Sequence, residues 1–214
     1  MKIIAANWKM NKTNAEAEEF FAQFQKLYKK SDNQVIFCVP FTALQTVSRF
    51  QGAGIIPAAQ NFHPAASGAF TGEVSLGQIS EAGARYVLVG HSERRNLFGE
   101  TEEFIREKVK TALAADFRVI LCVSEPKQVK GIAPHKNLCI AYEPLWAIGT
   151  GKTADREHIQ KTHADIKKII DIPVLYGGSV NETNFAEILE TPNVDGILVG
   201  GASLVPEKFA KIAN

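Results

Sequence analysis

The chain has 214 residues, carries a formal net charge of +1 and contains 45% hydrophobic and 22% charged residues. This composition is ordinary for a globular protein, and the length allows a substantial buried core. Because Lys and Arg are scattered along a nearly neutral chain, a nucleic-acid surface built on bulk charge is disfavoured. We predict one domain that spans residues 1–214, with no nucleic-acid partner.

The cysteines and the N-terminal sequence bear on the compartment. Cys38, Cys122 and Cys139 lie in apolar runs, are odd in number and form no C-x-x-C pair. They are therefore interpreted as buried, reduced thiols rather than disulfides or metal ligands. The apolar run at residues 3–6 is too short for a signal peptide, and no run reaches membrane-spanning length. We predict a cytoplasmic protein that does not enter a membrane.

Eight short apolar runs, rich in β-branched residues, recur along the chain. Each is too short for a helix and apolar almost throughout, which is typical of parallel strands covered on both faces. The runs are residues 3–7, 35–39, 55–59, 86–89, 119–123, 138–142, 174–176 and 197–199.

Segments with helical periodicity separate these runs, as in the spacing of Ile105, Val109 and Ala112. Four polar residues mark helix starts, each followed by acidic residues: Asn14, Thr101, Asp155 and Asn181. Eight strands alternating with helices predict an α/β fold closed into a (β/α)8 barrel. Strand counting alone leaves an open, doubly wound sheet as the alternative.

One connection is unusually short. Residues 124–137 read SEPKQVKGIAPHKN, with Pro126, Gly131 and Pro134 and no amphipathic pattern. A parallel crossover needs about a dozen residues, so this segment can still join two strands. We predict at most one helical turn here, a missing helix between the fifth and sixth strands, and a partly exposed outer wall.

Polar residues follow directly after several strands, where barrel enzymes carry their active sites. Taken singly, Lys9 is most simply a solvated lysine, His91 a structural histidine and Glu93 part of a loop salt bridge. Together they form a compatible set. Lys9 can stabilise an oxyanion, His91 can donate to a carbonyl oxygen, and Glu143 can take a proton from carbon. The set predicts proton abstraction next to a carbonyl.

Glycine pairs follow the seventh and eighth strands, at residues 177–178 and 200–201. Such pairs let main-chain N–H groups approach an anion, and the loops after these two strands are the usual phosphate site of the barrel. Ser179 adds a donor at the start of a predicted helix, where the helix dipole favours an anion. The sequence therefore predicts a bound phosphate.

Residues 144–154 are predicted to form a lid. Gly149 and Gly151 give its tip conformational freedom, while Trp146 and Ile148 are apolar side chains that gain a packing partner when a loop closes. The segment is longer than an ordinary connection needs. Closure excludes water and protects a reactive intermediate.

Six segments of the chain resemble the triosephosphate isomerase family, in the family's order: residues 6–11, 90–95, 141–144, 146–154, 176–180 and 199–204. The resemblance implies a TIM barrel that interconverts dihydroxyacetone phosphate and D-glyceraldehyde 3-phosphate through an enediolate. It also implies a place in glycolysis and gluconeogenesis, and no cofactor or metal.

The resemblance implies roles for individual residues, and these are the established roles of the family rather than deductions from spacing. Glu143 would be the base, His91 a neutral electrophile, and Lys9 a stabiliser of negative charge. Glu93 would be a catalytic or supporting carboxylate, and Asn7 would help to hold a substrate oxygen. The implied phosphate ligands are Gly149, Ser179, Gly200 and Gly201.

The resemblance also implies a homodimer. The segment from Gln60 to Glu73 is similar to the family's dimerisation loop, which inserts into the neighbouring subunit beside its active site. Thr71 would then reach toward Asn7 and Lys9 of the other subunit. Composition alone says only that the segment is a loop rich in Gly, Ala and Pro.

The chain departs from the family after the fifth strand. Ser124 stands where the family usually has the glycine of a Gly-Glu pair, Glu125 still matches the acidic position, and no long helical stretch follows. Two other functions therefore stay open. One is a barrel isomerase or aldolase acting on a larger sugar phosphate, although an aldolase needs a Schiff-base lysine deeper in the barrel than Lys9. The other is a non-catalytic binding protein that keeps the fold.

Overall fold

The apolar runs form the strands of a closed parallel barrel in a computed structural model that describes residues 1–147 and 153–214. Within these residues there are eight strands, and each pairs with its neighbours in chain order until the eighth meets the first. Closure confirms the predicted barrel and excludes the open sheet. The strands are β1 Ile3–Asn7, β2 Gln34–Val39, β3 Ile55–Ala59, β4 Tyr86–Val89, β5 Arg118–Val123, β6 Leu138–Tyr142, β7 Val174–Tyr176 and β8 Gly196–Val199.

The barrel closes where β8 pairs with β1, with Gly196 opposite Ile3. A Cβ atom at position 196 would lie 2.1 Å from the carbonyl oxygen of Ile3. Backbone atoms cannot yield as a flexible side chain can, so this close approach requires glycine.

Helices surround the barrel: α1 Asn14–Leu27, α2 Leu44–Ser48, α3 Leu76–Glu81, α4 Ser92–Asn96, α5 Glu102–Ala114, α6 Arg156–Ile169, α7 Phe185–Glu190 and α8 Pro206–Ala213. Short 3-10 turns lie at Phe41–Ala43, Gln51–Ala53, Pro126–Val129, Leu145–Ala147 and Gly201–Leu204. No helix in the described ranges is both long and apolar enough to cross a membrane.

Side-chain caps show which predicted helix starts hold. Thr101 and Asp155 are N-caps, each accepting a hydrogen bond from the amide three residues later, as predicted. The cap of α1 is Thr13, one residue before Asn14. The prediction at Asn181 is wrong, because its side chain closes a turn by accepting from the Thr183 and Asn184 amides, and α7 begins only at Phe185.

The core has two layers because successive strand residues point to opposite faces. On β5, Val119 and Leu121 pack outward against the helices, while Ile120 and Cys122 belong to a second cluster that fills the barrel. All three cysteines are free and buried, as predicted.

The connection from β5 to β6 contains one 3-10 turn, Pro126–Val129, and no α-helix, which confirms the prediction for this segment. The side-chain oxygen of Gln128 closes the turn by accepting from the Ser124 and Glu125 amides, at 2.7 and 3.1 Å. The predicted exposure of the outer wall is wrong. The outward apolar side chains of β5 and β6 are buried, because fully buried Val129 and the flanking helices cover them.

Candidate active site

The predicted site residues gather around a cavity of about 330 Å³ at the carboxyl ends of the strands. Five strand ends contribute to its lining, as the sequence predicted: Asn7 and Lys9 after β1, His91 after β4, Glu143 after β6, Ser179 after β7, and Gly200 and Gly201 after β8. Glu93 lines an adjoining cavity of about 380 Å³ that also includes Asn7, Lys9 and His91. Gly149 lies outside the described residues.

Lys9 follows β1 in a left-handed backbone conformation, with φ of 53°. This conformation is uncommon for a residue with a side chain and persists where the surroundings hold it. Asn7 accepts a hydrogen bond from the Lys9 amide at 3.0 Å. The side-chain nitrogen of Gln60 lies 3.0 Å from the Lys9 carbonyl and 3.3 Å from Asn7 Oδ1. These contacts fix the direction in which the Lys9 side chain leaves the strand.

Glu93 holds the ammonium group of Lys9. Its Oε1 lies 2.6 Å from Lys9 Nζ, and its Oε2 lies 3.6 Å from His91 Nδ1. Both members of the Lys9–Glu93 pair are about one-third exposed, so water screens the pair and its main effect is to orient the ammonium.

The hydrogen bonds of His91 define its tautomer. The Glu93 amide donates to His91 Nδ1 at 3.3 Å, so Nδ1 acts as an acceptor and carries no proton. The proton of the neutral ring is then on Nε2, which lies 3.0 Å from Glu143 Oε1. The imidazole is buried and presents one N–H group to the cavity. A neutral N–H of this kind can donate to a carbonyl oxygen without transferring a full charge.

Glu143 follows β6 and is almost completely buried. In addition to the contact with His91, its Oε2 accepts a hydrogen bond from the Ser92 amide at 3.0 Å. Gly177 makes room for this side chain, since a Cβ atom there would lie 3.1 Å from Glu143 Cγ. Two donors, His91 Nε2 and the Ser92 amide, therefore hold the buried carboxylate.

Ser179, Gly200 and Gly201 line the end of the cavity predicted to hold phosphate. The Ser179 hydroxyl donates to the Ala147 carbonyl at 2.7 Å, and in the described part of the chain the amides of Ser179 and Gly201 have no protein acceptor. The predicted helix start at Ser179 is wrong, because α7 begins at Phe185. The Ser179 amide belongs to a loop, whereas Gly201 begins the 3-10 turn Gly201–Leu204, so an anion there would meet loop amides and the start of that turn.

The predicted lid can be described only at its two ends, because residues 148–152 lie outside the described residues. At one end, Trp146 packs edge-to-face on His158, with ring centroids 5.7 Å apart. At the other end, the Ala154 amide donates to the Tyr176 hydroxyl at 3.0 Å. Gly178 permits this contact, since a Cβ atom at position 178 would lie 2.2 Å from the same hydroxyl oxygen.

Several contributing residues were not predicted as parts of the site. Gln60, the Ser92 amide and the Tyr176 hydroxyl each support a predicted residue from a different element. All three lie in segments that resemble the family, at residues 60–73, 90–95 and 176–180, but the folded contacts are what identify their individual roles.

Thiol nucleophiles and metal ligands receive no support from the described residues. Burial raises the pKa of the Cys122 thiol well above its ordinary value, which keeps it protonated and poorly nucleophilic. Within residues 1–147 and 153–214, no group of three or more His, Cys, Asp and Glu side chains is arranged to hold a metal ion.

Comparison with known proteins agrees with the residues in the cavity. The family model of triosephosphate isomerase matches residues 2–214. Relatives named triosephosphate isomerase come from Synechococcus sp. (strain JA-3-3Ab), Aquifex aeolicus (strain VF5) and Lawsonia intracellularis (strain PHE/MN1-00). They are 42%, 42% and 43% identical over 99%, 99% and 100% of this chain and 94%, 98% and 98% of the relative.

The three alignments run over 239, 241 and 247 positions, more than the 214 residues of the chain, so the relatives contain segments that it lacks. Despite this difference, the match extends across nearly the whole length of both partners in every case. The chain belongs to the triosephosphate isomerase family.

Proposed function

We propose that the chain interconverts dihydroxyacetone phosphate and D-glyceraldehyde 3-phosphate, as an enzyme of glycolysis and gluconeogenesis. One observation carries the proposal: the Glu143 carboxylate, the His91 Nε2–H group and the Lys9 ammonium face one cavity that also includes the glycine loops after β7 and β8. The three buried free thiols suit a reducing compartment, and we propose that the enzyme works in the cytoplasm.

Phosphate binding fixes the substrate for reaction. In the described part of the chain the amides of Ser179 and Gly201 have no protein acceptor, so they can donate to the phosphate oxygens, and a Cβ atom at position 200 would come no closer than 4.0 Å to Lys9 Cε. From the family resemblance we also propose Gly149 as a phosphate ligand. Because phosphate does not react, its binding energy orients the three-carbon end against the catalytic groups.

Proton transfer then proceeds in two balanced steps. Glu143 removes a proton from the carbon next to the carbonyl, the C–H electron pair becomes the new C=C bond, and the carbonyl π electrons move onto oxygen. His91 Nε2–H and the Lys9 ammonium stabilise this oxygen as the enediolate forms. Glu143 then returns the proton to the former carbonyl carbon, and the C=C electron pair forms the new C–H bond. The neighbouring C–OH group becomes the new carbonyl as its hydroxyl proton passes through His91 Nε2 to the former carbonyl oxygen. To reach carbon, the carboxylate gives up its contacts with His91 and the Ser92 amide.

Asn7 and Glu93 support these groups. Asn7 fixes the turn that carries Lys9, and we propose that its side chain also contacts a substrate oxygen. Glu93 orients the Lys9 ammonium through its carboxylate and sets the His91 tautomer through its amide. Loss of either residue would therefore displace a charge-stabilising group rather than the base.

The Glu143→Gln variant tests the assignment of the base. We expect kcat for either triose phosphate to fall about 10³-fold, the usual order for loss of a positioned general base. Binding of glycerol 3-phosphate, which cannot isomerise, should stay within a few-fold of wild type because the phosphate loops are intact. Exposed Glu107 on α5 supplies the control, and Glu107→Gln should keep full activity. Wild-type turnover in Glu143→Gln would contradict the assignment of Glu143 as the base.

We also propose a homodimer in which the loop at residues 60–73 inserts beside the active site of a second copy. Residues 66–73 are exposed, and Phe70 packs on the His63 ring at 4.0 Å while remaining 46% exposed. The adjoining 380 Å³ cavity carries the exposed apolar side chains of Met10 and Phe98. Exposed apolar groups around a cavity are typical of a surface that a partner covers.

Sedimentation equilibrium tests the dimer. Wild type should sediment at twice the 23.4 kDa chain mass, whereas Phe70→Asp should dissociate and lose activity because Thr71 no longer reaches the second subunit's Asn7 and Lys9. Ile169→Asp, which changes another partly exposed apolar residue on α6, is the control and should remain dimeric. A monomeric wild type with full activity would contradict the proposed assembly.

A further inference from the structure

A second lysine lies at the cavity and has no part in the proton transfer described above. Lys208, in the first turn of α8, lines the same 330 Å³ cavity as Lys9, Gly200 and Gly201. Its ammonium lies 2.9 Å from the Oε1 atom of Glu182, which also lines the cavity. The Lys208 side chain is 48% exposed, so it is free to change its partner.

The position of Lys208 follows from the loop that precedes it. The 3-10 turn Gly201–Leu204 continues through Val205 directly into α8. The lysine is therefore carried by the same stretch of chain as Gly200 and Gly201. A long, flexible side chain on a short helix there can extend over the outer edge of the cavity.

The charges around the cavity favour an anion at this edge. In the described part of the lining, Lys9 and Lys208 are the cations, and Glu143 and Glu182 are the anions. Glu93 already engages the Lys9 ammonium. The hydrogen bond from Lys208 lowers the pKa of Glu182, so both members of their pair are charged at neutral pH. An arriving phosphate dianion competes with a single carboxylate for the ammonium of a half-exposed lysine.

We propose that Lys208 is a substrate-binding residue that exchanges Glu182 for the phosphate of the triose phosphate. The proposal rests on the function proposed above, since that function supplies the dianion. Glu182 then acts as a competitor that holds the lysine at the cavity edge between turnovers. Lys208 would strengthen capture of the phosphorylated substrate without touching the reacting carbons.

The alternative role for this pair is a surface ion pair that ties the loop after β7 to α8. The two roles predict different signs. If the pair only supports the structure, removing either member weakens the site in the same way. If Lys208 binds phosphate, removing the lysine weakens substrate binding, while removing Glu182 frees the lysine and strengthens it.

The test compares three variants under steady-state conditions. We expect Lys208→Met to raise KM about fivefold with kcat within about twofold, and to weaken the salt dependence of kcat/KM, as loss of one screened charge contact should. Glu182→Gln should lower KM about twofold. Lys110→Met removes an equal charge from an exposed position on α5, outside the cavity lining, and should leave KM unchanged.

Calorimetric titration with inorganic phosphate gives a readout that does not depend on turnover. Lys208→Met should bind phosphate more weakly and Glu182→Gln more tightly than wild type, and an unchanged thermal midpoint for each variant excludes a folding defect. If phosphate binding followed this order among the three proteins but the wild type did not isomerise triose phosphates, the proposed function would fail and the assignment of Lys208 would stand. Variants that both raise KM, or both leave it unchanged, would overturn the assignment of Lys208.

Discussion

Two consecutive connections of this barrel join neighbouring parallel strands and cover their outward faces, but they differ greatly in length. Residues 124–137 join β5 to β6 through a single 3-10 turn, whereas residues 143–173 join β6 to β7 through the proposed base, the predicted lid and the 14-residue helix α6. Both leave the outward strand residues buried. A barrel wall therefore needs only enough apolar cover, and of these two connections the longer one follows the strand that ends at the proposed base.

The two covers differ in chemical character. Over β5 and β6 the cover is apolar and centres on Val129, with its turn closed by Gln128. Over β6 and β7 it includes His163 of α6, which is fully buried beside the rings of Tyr142 and Tyr176. Polar groups are costly to bury, so the second cover should be the more sensitive to solution conditions.

Acid should reveal the largest difference between the two covers. Burial lowers the pKa of His163 from 6.5 to about 4; its contacts with the Asn193 carbonyl and Asp195 only partly oppose this, and Lys167 adds to the lowering. The pKa of His163 is lower in the folded protein than in the unfolded chain. The neutral ring therefore contributes its full share of the unfolding free energy above pH 6.5, and this share is lost as the pH falls toward 4. The shift corresponds to about 3 kcal/mol of unfolding free energy.

Denaturant unfolding at several pH values between 7 and 4 measures this effect. His163→Asn keeps a donor for the Asn193 carbonyl and removes the titrating ring, so its unfolding free energy should fall less steeply with acid than that of wild type. The slopes of unfolding free energy against pH should differ by about 1.4 kcal/mol per pH unit, which corresponds to one proton taken up on unfolding. Identical pH slopes in the two proteins would show that His163 is not the acid-sensitive group of this wall.

The same comparison explains which features the sequence predicted. Strands and strand-end residues such as Lys9, His91 and Glu143 are encoded locally, by short apolar runs and the few residues after them. The cover provided by Val129 was not predicted, since its burial depends on helices that lie far away in the sequence. The assumed helix start at Ser179 failed because the Asn181 side chain closes a separate turn first.

The smaller predicted effect concerns the short connection itself. Val129→Ala removes two methyl groups from a fully buried site and should lower the unfolding free energy by about 2 kcal/mol. For a chain of this size, that change corresponds to a fall of about 4–8 °C in Tm. Lys130→Ala, at the next and exposed position, is the matched control and should leave Tm nearly unchanged.

Activity measurements on the same variant test whether wall and site are independent. No residue of 124–137 lines the 330 Å³ cavity, and the proposed catalytic groups lie at the ends of β1, β4 and β6. We therefore expect kcat and KM of folded Val129→Ala to match wild type well below its Tm. A fall in kcat at temperatures where the variant is fully folded would show that the short turn supports the active site as well as the wall. The shortened connection would then carry a functional constraint that its distance from the cavity does not reveal.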